Sequence, residues 1–184
     1  MKIEIKNKRC KEEKILKEYP DAEIIDVTSK GDEPWQKLSP FYPHGGIPVP
    51  FSEGAISMCV EGVWQGLKVV AHEGIDRDSF RNGTMRNIKR TVRTHGRCKG
   101  HQKGVRGTEL LDYIDARKEI YVPTYMWMLE HRCRSQLKEL AAIARRGTLV
   151  LLDYDTNDDV ENPAKPLSHA SLIKRYLLEH QDER

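Results

Sequence analysis

The stretch Thr148-Leu149-Val150-Leu151-Leu152-Asp153-Tyr154 contains four consecutive aliphatic residues and follows Gly147. A short apolar run of this kind predicts a strand that is covered on both faces. Two further strands are predicted at residues 2–6, where apolar and charged residues alternate, and at 22–27, with a charged amphipathic helix over 8–19 between them. The remaining patterns are helical, so we predict an α+β fold that is mostly helical around a small sheet.

The length of 184 residues suits one domain, which we expect to span 1–184 with residues 1–30 as an N-terminal β-α-β extension. Charged residues make up 32% of the chain, and no window approaches the roughly 18 consecutive apolar residues of a membrane-spanning helix. A membrane partner is therefore not expected.

Seven further segments carry a clear pattern. Residues 29–57 contain five prolines and four glycines, which disfavour a long helix and predict a rigid, turn-rich passage that forms a site. Helices are predicted at 57–72, at 79–93 with an end at His95-Gly96, at 109–117, at 123–145 with a stop at Gly147, and at 168–180. A glycine-punctuated loop is predicted from the second of these helices through Gly107.

The N-terminal residues lack the apolar region of a signal peptide, so we expect a cytoplasmic protein. The four cysteines are far apart and form no Cys-x-x-Cys pair. We therefore expect them to be reduced thiols: Cys10, Cys59, Cys98 and Cys133.

The charge is unevenly distributed. Residues 77–106 contain ten Lys or Arg residues against one acidic residue, Asp78, so the rest of the chain is net acidic. This basic segment predicts an anionic partner. The alternative is a solvated basic face that binds no ligand.

Two motifs in a fixed order resemble the paired signature of the NADAR (YbiA-like) superfamily. The first is Leu38-Ser39-Pro40-Phe41-Tyr42-Pro43, and the second is Val60-Glu61-Gly62-Val63-Trp64-Gln65-Gly66-Leu67-Lys68-Val69. Gly96-Arg97 and the segment 126–155 also resemble later parts of that family, so the resemblance covers 35–155. The chain departs from the family at Pro40, where an Asn is usual, and at 153–158, where a Trp-Gly element is missing.

The resemblance implies a NADAR-like fold and an N-glycosidase that needs no metal or other cofactor. Its substrate would be an ADP-ribosylated or otherwise phosphoribosylated base, or a nucleotide. Cleavage of an N-glycosidic bond builds positive charge on the ribose, which a fixed carboxylate stabilises. Glu61 is the residue we expect to supply that carboxylate.

The remaining candidate residues would bind the substrate. Aromatic rings suit a base, cationic side chains suit a phosphate, and His44 could replace the missing Asn. After the strand, Tyr154 could supply a ring and Asp153 or Asp155 a second carboxylate. The candidate binding residues are Phe41, Tyr42, His44, Trp64, Gln65, Lys68, Arg93, Arg97, Asp153, Tyr154 and Asp155.

Two other interpretations stay open. A nucleic-acid-binding protein without catalysis would use residues 77–106 to contact phosphates, and a hybrid would act on a modified base carried in a nucleic acid. A zinc-stabilised interaction module would use ligands from His95, Cys98, His101, His131 and Cys133. Their spacing is unusual for zinc, and Cys133 falls on the predicted buried face of its helix.

Overall fold

The computed structural model describes residues 1–181, and its helices and small sheets confirm the α+β class. In chain order its elements are β1 (Lys2–Asn7), α1 (Glu12–Glu18), β2 (Glu23–Asp26), a 3-10 helix (Trp35–Leu38), β3 (Ile47–Pro48), β4 (Ile56–Ser57), α2 (Val60–Leu67), β5 (Lys68–Val70), a second 3-10 helix (Ser79–Arg81), α3 (Val92–His95), β6 (Cys98–Gln102), β7 (Leu110–Leu111), α4 (Tyr113–Ala116), a π-helix (Arg117–Tyr121), α5 (Val122–Arg132), α6 (Arg134–Arg146), β8 (Thr148–Asp153) and α7 (His169–Glu179).

Close contacts divide the chain into two compact units. The first unit comprises residues 1–39 and the part of the chain from residue 129 onward, and the second comprises residues 40–128. Within residues 1–181, no helix is both long and apolar enough to cross a membrane.

The first unit is built on β8, the centre of a parallel sheet with the order β1-β8-β2. Lys2 pairs with Thr148 and Glu23 with Leu149, so the two predicted N-terminal strands form the edges. Three successive β8 residues, 149 to 151, have no exposed surface. The prediction of a strand covered on both faces is confirmed, and helices α6 and α7 both contact β1 and β8.

The long helix predicted at 123–145 is divided in two. Cys133 has φ −120° and ψ 21°, outside the helical range, and it separates α5 from α6. In α6 the residues Leu137, Leu140 and Ile143 are buried, as their spacing predicts. The prediction of one continuous helix was wrong because apolar spacing continues across a break in the backbone.

The second unit contains an antiparallel sheet with the order β5-β6-β7. The helix predicted at 57–72 therefore ends at Leu67, because Lys68 to Val70 pair with β6 instead. β6 lies where a glycine-punctuated loop was predicted, and β7 precedes α4 where a helix from 109 was predicted. β-branched Val69 and Val70 suit a strand once a partner strand is present.

The helix predicted at 79–93 is wrong. Only the 3-10 helix Ser79–Arg81 and the single turn α3 are helical there. Met85 and Asn87 have φ values of 59° and 55°, and left-handed residues interrupt a right-handed helix. Gly96, with φ 81°, ends α3 at the predicted place. The turn-rich passage at 29–57 is confirmed, since it contains one 3-10 helix and two two-residue strands.

Candidate functional site

Helix α2 presents the predicted carboxylate. Glu61 is 7% exposed, and its backbone N–H donates a hydrogen bond of 2.8 Å to the carbonyl of Pro40. Gln65, one turn later, donates from Nε2 to Oε1 of Glu61 at 2.9 Å. Pro40 of the first motif therefore contacts the second motif through its backbone carbonyl.

The start of α2 is capped by a thiol. Sγ of Cys59 accepts a hydrogen bond of 3.2 Å from the backbone N–H of Gly62. Burial raises the pKa of Cys59 to about 11, so the group is a neutral thiol at physiological pH. Cys59 thus stabilises the helix terminus, and its protonation disfavours a role as a nucleophile.

Gln65 joins Glu61 to a buried arginine. The backbone N–H of Arg90 donates to Oε1 of Gln65 at 2.9 Å. Because an N–H can only donate, the other end of the Gln65 side chain must be the amide NH₂, which leaves Glu61 as the acceptor. The amide of Gln65 therefore fixes one oxygen of the Glu61 carboxylate.

Arg90 is 4% exposed and closes the end of α2. Its guanidinium donates to the carbonyls of Gln65 and Lys68 and to the carboxylate of Glu73, while Nζ of Lys68 donates to the Arg90 carbonyl at 2.9 Å. A hydrogen bond from Arg90 and another from His95 hold the pKa of Glu73 below its usual range. Sequence reasoning missed Arg90, which lies in the basic segment among arginines with no distinguishing pattern.

An aromatic cluster, which we define as Trp64, His101, Tyr113 and Tyr121, lies beside this part of α2. Trp64 stacks on His101 with ring centroids 3.7 Å apart and an interplanar angle of 31°. Tyr113 and Tyr121 are each in an edge-to-face arrangement with Trp64, with centroids 6.0 and 5.6 Å away. Trp64 is half-buried and Tyr113 is 40% exposed, so the cluster reaches the surface.

Two of these rings come from a segment that sequence reasoning did not connect with the site. Tyr113 begins α4 and Tyr121 ends the π-helix, which contacts α2. Arg117, 2% exposed, donates to the Tyr113 hydroxyl at 2.9 Å and lies 4.3 Å above that ring. π-Helical turns are frequent at functional sites, but no residue pattern announces them in a sequence.

The predicted aromatic residues of the first motif are half-buried in the second unit. Tyr42 and His44 lie with ring centroids 4.8 Å apart, and the ammonium of Lys89 lies 5.5 Å from the centre of the Phe41 ring. Lys89 belongs to the basic segment, so the candidate residue Phe41 lies beside one cation of that segment.

The predicted phosphate-binding arginines are exposed. Arg93 lies on α3, and Arg97 follows Gly96. Within residues 1–181, neither guanidinium has a hydrogen-bond or ion-pair partner. Both side chains are thus available to an anionic ligand.

The three predicted residues at the end of β8 belong to the first unit. Asp153 is 4% exposed, and its Oδ2 lies 3.0 Å from Nδ1 of His169 and accepts a hydrogen bond from Ser168 at 2.8 Å. Nε2 of His169 lies 2.9 Å from the carbonyl of Val27. Tyr154 is 45% exposed and Asp155 is half-buried.

Asp153 and His169 shift each other's pKa. Burial acts to raise the pKa of Asp153, but the charge of His169 and the hydrogen bonds of the carboxylate outweigh it, and the net pKa is below its usual range. Burial acts to lower the pKa of His169, but Asp153 and the Val27 carbonyl outweigh it, and the net pKa is raised. Both shifts favour the ionic form of the pair.

The zinc alternative gains no support from the geometry. Among residues 1–181, no group of three or more His, Cys, Asp or Glu side chains lies close enough to hold a metal ion. His95 pairs with Glu73, Cys98 donates to the Gly100 carbonyl, and His101 stacks on Trp64. Burial raises the pKa of Cys133 to about 12, which disfavours the thiolate that a metal requires.

One comparison with known proteins gave a match. A family model described as "Family of unknown function (DUF6939)" matches residues 7–173, which is most of the chain. No curated protein and no solved structure matches it.

Proposed function

The chain belongs to the DUF6939 family, whose function is unknown, and from its candidate site we propose that it is an N-glycosidase. The substrate is a ribosylated base that carries phosphate, and the bond hydrolysed joins the anomeric carbon of the ribose to a nitrogen of the base. The observation that carries the proposal is the buried Glu61 carboxylate, held by Gln65 on the helix that also supplies Trp64. The resemblance to the NADAR superfamily supports the same activity, and a NADAR-like fold is part of the proposal.

The chemistry needs a carboxylate in this setting. As the bond between carbon and nitrogen breaks, positive charge develops on the ribose, and a buried carboxylate stabilises that charge more strongly than one in water. Water then forms the new bond to the anomeric carbon, and its proton leaves to the nitrogen of the released base. Glu61 orients this water and assists its deprotonation.

Gln65 has a positioning role in this mechanism. Its amide donates to one oxygen of Glu61 and is itself held by the N–H of Arg90. The carboxylate consequently does not need to reorient as charge develops, which is the condition for efficient electrostatic stabilisation.

The aromatic cluster suits the base. Trp64 and Tyr121 are half-buried and Tyr113 is exposed, so a flat ring can reach them from the surface. Stacking of a base on such rings contributes on the order of 1–3 kcal/mol and tolerates different bases. Phe41 and Tyr42 are further half-buried aromatic residues of the same unit.

In this proposal the basic segment binds the phosphate. Arg97 follows a glycine, which lets a ligand approach the backbone closely, and its guanidinium suits bidentate contact with a phosphate. Arg93 supplies a second exposed cation one turn earlier.

The test compares the wild-type protein with Glu61→Gln on ribosylated bases, including ADP-ribosylated guanine. Gln keeps the size of the side chain and removes its charge, so we expect turnover to fall roughly a hundredfold or more while substrate affinity changes little. Chromatography of the released base measures the rate.

The matched control is Glu139→Gln, which removes a carboxylate from the exposed side of α6 in the first unit. We expect its turnover to equal that of the wild type. Release of base that persists undiminished in Glu61→Gln would remove Glu61 from the mechanism, and no release from any ribosylated substrate would contradict the proposed activity.

A second candidate function rests on the basic segment. Seven of its ten cations are exposed and have no acidic partner within residues 1–181: Arg77, Arg86, Lys89, Arg93, Arg97, Lys99 and Arg106. Such unneutralised charge is typical of a surface that binds nucleic acid. Binding of this kind would weaken steeply with salt and would be unchanged in Glu61→Gln, whereas catalysis depends on the carboxylate.

A further inference from the structure

His101 is a buried polar residue without a hydrogen-bond partner. It lies in the central strand β6, is 1% exposed, and neither of its ring nitrogens has a partner among residues 1–181. Buried polar atoms in native proteins are nearly always hydrogen-bonded, so an exception of this kind requires an explanation.

Packing does not explain it. The ring stacks on Trp64, and a phenyl ring would make the same contact without two unsatisfied nitrogens. A polar ring at this position therefore costs stability unless a group that binds there completes its hydrogen bonds.

The imidazole is neutral. Burial, assisted by the charge of Lys68 on the neighbouring strand, lowers the pKa of His101 to about 3. A neutral imidazole has one N–H donor and one nitrogen acceptor. The positive charge of Lys68 disfavours a cationic ligand beside the ring. A phosphate would form weaker hydrogen bonds with a neutral imidazole than with the exposed arginines. The matching ligand group is polar and uncharged.

The aromatic cluster gives such a ligand a route. Trp64 covers one face of His101 and is itself half-buried, and Tyr113 beside it is 40% exposed. Trp64 is therefore the side chain that has to turn for a ligand to reach the imidazole from this side.

We propose that His101 is a further binding residue of the site, whose imidazole hydrogen-bonds an uncharged polar group of the ligand, a ribose hydroxyl or the amide edge of a base, once Trp64 has turned aside. The identity of the ligand rests on the proposed function. The hydrogen bond itself does not require hydrolysis.

The first experiment measures the binding of ADP-ribose by calorimetry in two variants. His101→Phe keeps the stacked ring and removes both nitrogens, so we expect a melting temperature equal to or above that of the wild type and affinity at least tenfold weaker. His101→Gln restores a donor and an acceptor and should recover part of that loss. Equal affinities of wild type and His101→Phe would overturn the proposal.

The matched control is His180→Phe, because His180 also stacks on an aromatic ring, that of Tyr176, at 4.2 Å and belongs to the first unit. It should bind ADP-ribose as the wild type does. An equal loss in both variants would contradict a specific role for His101.

A second measurement uses the wild-type protein, so it does not depend on whether a variant folds. In wild-type protein labelled with ¹⁵N-histidine, saturating ADP-ribose should shift the ring nitrogen resonances of His101, and unchanged resonances would overturn the proposal. A shift in a protein that releases no base from any ribosylated substrate would support His101 as a binding residue and contradict the proposed hydrolysis instead.

Discussion

At the scale of single residues, Gln65 is held at both ends of its side chain. Both ends of its amide are engaged, one by Glu61 and the other by the backbone of Arg90. Arg97 is the opposite case, since it is exposed and makes no hydrogen bond or ion pair within the described part of the chain. A residue so placed can contribute to ligand binding with little effect on the fold.

We therefore predict that Arg97→Ala weakens binding of ADP-ribose and leaves the unfolding free energy unchanged within about 0.5 kcal/mol. Loss of a charge-assisted hydrogen bond costs on the order of 1.5–3 kcal/mol, which corresponds to a roughly tenfold to hundredfold rise in Kd. Calorimetric titration measures the affinity, and urea denaturation measures the stability.

Arg81→Ala is the control, because Arg81 is an exposed cation of the same segment that already pairs with Asp78 at 3.5 Å. If both variants lost the same affinity, the cause would be the general loss of one positive charge from the segment, and not the loss of a specific contact of Arg97.

At this scale the sequence predicts the structure where the residues concerned are close together in the chain. Glu61 and Gln65 are four residues apart, and residues at this spacing lie on one face of a helix such as the one predicted at 57–72. Arg90, Tyr113 and Tyr121 come from segments far along the chain. Their approach to α2 depends on tertiary packing, which spacing does not encode.

At the scale of elements, two glycines of α2 permit close packing. A Cβ at Gly66 would lie 2.2 Å from Cε1 of Phe80, and one at Gly62 would lie 2.7 Å from the carbonyl oxygen of Ser79. Phe80 and Ser79 belong to the second 3-10 helix, which contacts α2. The lack of side chains at these positions therefore sets how closely the 3-10 helix approaches the helix of the site.

We predict that Gly66→Ala destabilises the protein by about 1–3 kcal/mol, because the methyl group forces the Phe80 ring out of its place. In an exposed helix the same change would stabilise by up to about 1 kcal/mol, so the sign is informative. Urea denaturation measures the difference.

The control is Gly74→Ala, since a Cβ there meets no atom within 4 Å. Its unfolding free energy should be unchanged or higher by at most about 1 kcal/mol. A Gly66→Ala protein as stable as the wild type would show that the packing of α2 against Phe80 adapts freely.

A helix or strand could be predicted from the sequence where its pattern of apolar residues is continuous. The apolar run of β8 identifies a buried strand without further information. The segment 79–93 has helical composition in part, but left-handed Met85 and Asn87 divide it, and this conformation depends on the surrounding loop. β6 was missed because a glycine at position 100 obscures a five-residue strand that exists only through its neighbours β5 and β7.

At the scale of the whole molecule, the ionic pair of Asp153 and His169 makes stability depend on pH. The folded pKa of His169 is above its unfolded value of about 6.5, so its contribution is complete below that pH and is lost as pH rises through the folded value. The folded pKa of Asp153 is below its unfolded value of about 3.9, so its contribution is present above that pH and is lost as pH falls further.

We predict that the pair stabilises the protein most between about pH 4 and 6.5. Replacement of His169 by Gln removes the charge and leaves Asp153 buried without its cation. The difference in unfolding free energy between wild type and His169→Gln should therefore be largest in this window and should shrink above it, as urea denaturation at a series of pH values would measure.

His72→Gln is the control, because His72 is exposed. Its pH profile of stability should follow that of the wild type. A constant difference between wild type and His169→Gln from pH 5 to 9 would contradict the assignment of charge to His169.

The central place of β8 also has a consequence for synthesis on the ribosome. β1 and β2 leave the exit tunnel first but have no partner until β8 follows, after all of residues 40–128 have emerged. At about 5–20 residues per second this wait is on the order of ten seconds, during which Ile3 and Ile25 are unprotected. In stalled nascent chains, the second unit should therefore generate a pulling force at shorter chain lengths than the β1-β8-β2 sheet does. The protein should also depend on chaperones more during translation than in refolding of the full chain.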